Sequence, residues 1–247
     1  MTITITTTTV TRTRTALLGA VLAGGRSTRM GRDKAAVVVG PRGDADRRGV
    51  DLRGVDPRGV DPRGAEARAV GAPPVDARGA RVETLGARAV RVLREVCGAD
   101  NVVALGHGRG MPGDLERIPD VVVDDPLPAR ASRGAGPAGG LLALLGSGRA
   151  EAYVVVAVDM PDIDAGHLRA LVSARAQARA IAACFVPDDE PGVLAPLPLA
   201  VDARALQAVR ERVESGERRL RGIVGALAPA TLPIARALLR NVNAPAD

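Results

Sequence analysis

Five short, largely apolar stretches constrain this chain more than any other feature. Residues 16–22, 101–105, 118–123, 153–158 and 180–186 carry their Val, Leu, Ile and Ala in unbroken or nearly unbroken runs. Alternation is missing, as it is in strands covered on both faces. Between the runs lie helical patterns. Val82, Leu85, Ala89, Val92 and Val96 recur at three- and four-residue steps, and the leucines of 141–145 follow a Gly-Pro start. Segments 164–179 and 202–214 open on Asp164 and Asp202 as N-caps. This order predicts an α/β fold: a single doubly wound, mostly parallel sheet with helices on both faces. In such sheets ligands gather beyond the C-terminal ends of the strands.

Two biased segments fall outside that pattern. Residues 1–15 are threonine-rich and read as a disordered tail. Their two arginines and the short apolar run after them suit neither a signal peptide nor a membrane span. Residues 41–80 contain RGVDL, RGVDP, RGVDP and RGAEA in succession. One small apolar residue per pentad cannot build a solenoid core, so the segment reads as a low-complexity insertion in one domain spanning 16–247.

Composition removes several function classes. A chain that is 46% hydrophobic and 25% charged is an ordinary globular one. Its net charge of +6 comes from arginines scattered among Ala, Gly and Val, and aromatics make up only 1% of residues. Stacking platforms are therefore nearly absent, which argues against nucleic acid and leaves an anionic small substrate. No run of eighteen apolar residues is available for a membrane. Cys97 and Cys184 lack metal-type spacing and read as buried thiols in a reducing, cytoplasmic compartment.

Against this arginine background Lys34, the single lysine among 34 basic residues, stands out. It ends the string LAGGRSTRMGRDK, residues 22–34. Gly24 and Gly25, directly after a buried strand, let backbone N–H groups approach phosphate oxygens. Ser27 adds a hydroxyl donor and Arg29 a guanidinium fork. Neither a dinucleotide fingerprint nor a P-loop is present. A glycine turn with exposed basic residues is the plainer alternative.

Carboxylates punctuate two other strand ends. In YVVVAVDMPDI, residues 153–163, Asp159 falls at the tip of an apolar run, where it can hold Mg²⁺ alongside substrate phosphates. Helix capping is the competing role for Asp159, but Asp162 and Asp164 are better placed for it. VVVDDPL, residues 121–127, precedes GAGPAGG, residues 134–140, whose helix start forms a second anion site with Pro137 near its first position. Near the end, NVNAPAD uses Asn241 and Asn243, which suit either polar ligand contacts or turns in a tail. His107 and His167 read as surface residues.

The string LAGGxSxRMGxxK resembles the signature loop of the nucleotidyltransferase superfamily that includes the MobA-like molybdenum cofactor guanylyltransferases. The resemblance implies a loop wrapping a nucleoside triphosphate, with nucleotide contacts from Leu22, Ala23, Gly24, Gly25, Ser27, Lys34, Asp125 and Asp159. It implies catalytic roles for Lys34, Asp159 and Arg29, with Mg²⁺ on Asp159. The acidic residue before the glycine-rich turn maps best onto Asp125, with Asp124 as the alternative. The segments SGERRLRGIVGAL, residues 215–227, and NVNAPAD are similar to C-terminal parts of the MobA-like branch, which places Asn241 and Asn243 on the acceptor or nucleotide side. The implied substrates are GTP and molybdenum-molybdopterin, with a monomer or weak homo-oligomer expected. Departures are visible. Leu105 and Gly106 stand where the family carries a nucleotide-binding asparagine, GPAGG replaces GPLAG, and residues 195–201 lack a basic residue before the proline. A relative using CTP or another triphosphate, or a non-catalytic nucleotide binder, therefore remains an open alternative.

Overall fold

The computed structural model describes residues 14–23, 34–37, 83–106, 111–118 and 136–242. Gly24, Gly25, Ser27, Arg29, His107, Asp124, Asp125, Asn243 and the segment 41–80 lie outside the described residues.

Seven strands among the described residues form one sheet in the order β3-β2-β1-β4-β6-β5-β7. They are β1 (Thr15–Leu22), β2 (Val102–Leu105), β3 (Arg117–Ile118), β4 (Ala150–Ala157), β5 (Ala182–Pro187), β6 (Ala195–Asp202) and β7 (Ala230–Ile234). All pair in parallel except β6, which runs antiparallel to both β4 and β5. Thr15, expected in the tail, is the first strand residue, and its N–H donates to the Arg149 carbonyl at 3.0 Å.

Five α-helices among the described residues cover the two faces: α1 (Leu85–Cys97), α2 (Gly136–Gly146), α3 (Ala165–Gln177), α4 (Leu206–Glu214) and α5 (Leu220–Ala226). Strand side chains alternate between two cores. Leu18, Ala20 and Leu22 of β1, with Tyr153 and Val155 of β4, pack with α2, α4 and α5. Val21, Val154 and Val156 point the other way, onto Val90 and Leu93 of α1 and Leu168 and Leu171 of α3. Both strands are buried on each face, which is why their sequences show no polar alternation. At Gly19 a Cβ atom would lie 3.1 Å from Leu93 Cβ, so glycine allows α1 to approach β1. Tyr153, fully buried, accepts the Ala150 N–H on its hydroxyl at 3.2 Å.

Three expectations change in detail. Asp202 caps a single 3-10 turn, Ala203–Ala205, and α4 begins after it without a side-chain cap. The strand expected over 118–123 is described only at Arg117–Ile118. Strand β7 carries Thr231 and Pro233 and escapes the apolar-run criterion; it pairs only with β5, an edge position where a residue lacking an N–H is tolerated. Cys97 and Cys184 are free and buried, as expected, and burial pushes their thiols up to about 12 and about 11. They are inert at neutral pH.

Candidate active site at the sheet switch point

From β1 the chain proceeds through α1 to β2 and β3 on one side, then returns to β4 on the other. The crevice beyond the C-terminal ends of β1 and β4 is therefore the topological switch point, where doubly wound sheets bind ligands. Leu22 pairs with Ala157 at this edge, and the Val158 N–H extends the ladder to the Leu22 carbonyl at 3.3 Å. On the far side of β1 the Ala23 N–H donates to the Leu105 carbonyl at 3.1 Å. Both Leu22 and Ala23 bury their side chains. They anchor the strand from which the glycine-rich loop departs.

Lys34 and Asp159 arrive at this edge from different directions and meet. The lysine Nζ donates to Asp159 Oδ2 at 2.7 Å, across 125 residues of sequence. Their side chains are 23% and 14% exposed, so the pair is sheltered but open to solvent. Lys34 begins a 3-10 turn whose next residue, Ala35, is fully buried in the α1–α3 core. The Leu85 N–H at the start of α1 donates to the Val37 carbonyl at 2.8 Å and fixes the end of that turn. Asp159 lies two residues beyond β4, after Val158 has returned to the core.

The turn after Asp159 is held from several sides. Asp164 caps α3, accepting the His167 N–H at 3.1 Å, while its own N–H donates to His167 Nδ1 at 3.3 Å. The ring of His167 also meets Phe185 edge-on, with centroids 6.3 Å apart, so this histidine, expected at the surface, is half-buried and has a structural role. Asp162 pairs with Arg240 at 3.2 Å. With Asp162 and Asp164 so engaged, Asp159 is the carboxylate of this turn directed at the lysine.

The C-terminal segment completes the rim, a feature the sequence only hinted at. From β7 it passes a 3-10 turn, Arg236–Leu239, where Arg236 pairs with Asp189 and Glu190 of the β5–β6 loop at 2.6 Å each. It ends against the candidate site: the Val242 N–H donates to the Asp159 carbonyl at 2.9 Å, and Val242 is buried. Asn241, exposed, is thereby placed one residue from a direct backbone contact with Asp159. The signal for this docking is the NVN string itself, with its apolar residue between two asparagines.

Among the described residues no cluster of three His, Cys, Asp or Glu side chains could hold a metal ion. A single hard carboxylate beside a cation suits Mg²⁺ carried on phosphates, which keeps most of its other ligands as water and phosphate oxygen. It does not suit a protein-caged ion. Among the described residues no helix is long and apolar enough to cross a membrane.

Comparison with known proteins identifies the family and the fold. Residues 78–231 match the model of the MobA-like NTP transferase domain. A probable molybdenum cofactor guanylyltransferase of Opitutus terrae is 32% identical over 218 residues, covering 86% of this chain and 80% of that protein. Among solved structures, molybdopterin-guanine dinucleotide biosynthesis protein A from Archaeoglobus fulgidus superposes with a TM-score of 0.53 at 17% identity, covering 92% of each chain. The bifunctional IspDF from Campylobacter jejuni gives a TM-score of 0.55 at 12% identity, over 93% of this chain and 52% of that one. At such identities the two structures speak for the fold alone.

Proposed function

The chain belongs to the MobA-like NTP transferase family and is a nucleotidyltransferase, and on that footing we propose that it transfers GMP from GTP to the terminal phosphate of molybdenum-molybdopterin, releasing pyrophosphate. The observation that carries this reading is the meeting of Lys34 and Asp159 at the switch point. One is a compact cation suited to phosphate oxygens, the other a carboxylate suited to a phosphate-bound metal.

The attacking acceptor phosphate is already anionic, so no general base and no covalent enzyme intermediate are required. What the chain must supply is alignment and charge. Lys34 places its ammonium against the α-phosphate as negative charge builds there. The amides of Gly24 and Gly25, the Ser27 hydroxyl and the Arg29 guanidinium hold the remaining phosphate oxygens. Asp159 would hold Mg²⁺, which would supply neutralisation of phosphate charge and polarisation of the phosphoryl group. By the family resemblance Asp125 would contact the nucleotide, and Asn241 and Asn243 would present amides to the acceptor or nucleotide. For ligand to enter, the Lys34–Asp159 pair must open, and each partner then exchanges one opposite charge for another.

Pyrophosphate release with Mg²⁺, each nucleoside triphosphate in turn and a molybdopterin acceptor tests the assignment. Release that requires GTP and the acceptor together is the expected result. Release with CTP in place of GTP would move the chain to a cytidylyltransferase-like activity. Absence of turnover with every triphosphate would leave a nucleotide-binding role only.

A further inference from the structure

We propose that Arg88 is a positioning residue that holds the Asp159 turn in register with the Lys34 turn. This rests on the reading of Asp159 as the metal-holding carboxylate. Arg88 sits in the first turns of α1, and its Nε donates to the Pro161 carbonyl at 2.6 Å, across 73 residues of sequence. Its side chain is 13% exposed, more sheltered than the 23% of the Lys34 side chain. Glu83 lies 3.8 Å from its Nη1 and is shared with Arg91, whose Nε donates to it at 2.8 Å.

The placement matters because of what else the start of α1 does. Three residues before Arg88, the Leu85 N–H grips the Val37 carbonyl, the end of the turn that begins at Lys34. Two residues of one helix thus reach the turns that carry both halves of the ion pair. Leu85 fixes the cation side through its backbone, and Arg88 fixes the carboxylate side through a side chain. Pro161 lies two residues beyond Asp159, so a shift of its carbonyl would carry Asp159 with it. The Val242 N–H on the Asp159 carbonyl restrains the same turn at its other end. A charge-assisted bond to a backbone carbonyl from a poorly exposed guanidinium is among the stronger polar contacts available. Partners of this kind commonly set the affinity of a carboxylate for its metal.

The test compares Arg88→Ala, Arg88→Lys and Arg88→Gln with the unaltered chain. Three quantities are read: thermal midpoint, Mg²⁺ dependence of turnover, and Mn²⁺ binding to the protein–GTP complex by electron paramagnetic resonance. Arg88→Ala is expected to weaken Mn²⁺ binding and raise the half-saturating Mg²⁺ by about tenfold, with the KM for GTP little changed. Lysine still reaches the carbonyl with a donor and should recover most of the loss, whereas glutamine is too short and should not. If Arg88→Ala fails to fold, the lysine and glutamine variants carry the comparison. Equal Mn²⁺ affinity in all folded variants, or activity falling only with the fraction folded, would overturn the proposal. Asp159→Asn separates the two readings. If that variant keeps Mn²⁺ affinity and turnover, the metal assignment of Asp159 fails, whatever Arg88 does.

Discussion

At the scale of single residues, two cations illustrate what a biased composition reveals and what it hides. Lys34 is legible because it breaks the pattern: in a chain that otherwise uses arginine, a lysine at the end of a glycine-rich loop draws the eye, and on the proposed reading a forked, planar cation would not serve there. Its partner is not legible, since nothing in the spacing of Lys34 and Asp159 says that their side chains meet at 2.7 Å. Arg88 is invisible in the sequence for the opposite reason. It is one arginine among many, and only its contact with the Pro161 carbonyl distinguishes it. The prediction at this scale concerns Lys34→Arg. The Lys34 side chain is 23% exposed and its neighbour Ala35 is buried, so a larger guanidinium can turn outward without disturbing the core. The variant should keep its fold, with turnover reduced by about a hundredfold or more, the scale of losing one well-placed electrostatic group. Pyrophosphate release and a thermal melt, taken together, check both halves of that statement. Turnover within a factor of two of the unaltered chain would refute the lysine's proposed role.

Among elements, legibility follows burial. Strands β1, β4 and β5 are largely covered on both faces, so their sequences are apolar runs that end within a residue of the strand ends. Strand β7 is an edge, with Thr231 and Pro233 exposed, and offers neither an apolar run nor an alternation strong enough to separate it from a loop. The antiparallel direction of β6 is equally hidden, because direction depends on its neighbours in space. Local chemistry is more transparent. Asp164 was readable as an N-cap, and α3 begins with the reciprocal bonds between Asp164 and His167. That cap ends the turn that starts at Asp159, which gives it consequences beyond the helix. Asp164→Ala removes the acceptor for the His167 N–H and should lower stability by about 1 kcal/mol. Denaturant unfolding measures that loss. The same variant should raise the half-saturating Mg²⁺ by a smaller factor than Arg88→Ala, since Arg88 and Val242 still brace the turn nearer to Asp159.

For the whole molecule, the decisive property is the switch point between β1 and β4. Strand–helix alternation is enough to anticipate a doubly wound sheet, and the switch between β1 and β4 then points to the candidate site. The segment 41–80 has no counterpart in that argument, for its glycine, proline and balanced charge specify no element. Its two flanks are nevertheless joined directly. The Val37 carbonyl accepts the Leu85 N–H at 2.8 Å, so everything between these residues closes a loop whose ends already touch. A chain spanning no distance needs no particular length. Replacing residues 41–80 with a few glycines and serines should therefore preserve the register of Lys34 against Asp159. Loop-closure entropy grows only logarithmically with length, so the shortened chain should gain about 1 kcal/mol or less in stability. Its thermal midpoint should rise slightly, and turnover with GTP should stay within about twofold of the full chain, a difference worth under 1 kcal/mol in barrier height. A cooperative loss of fold on deletion would show that 41–80 packs against the domain and that the contact between Val37 and Leu85 depends on it. Retained fold with lost turnover would instead place part of the segment in the site, acting on the nucleotide from beyond the Lys34 turn.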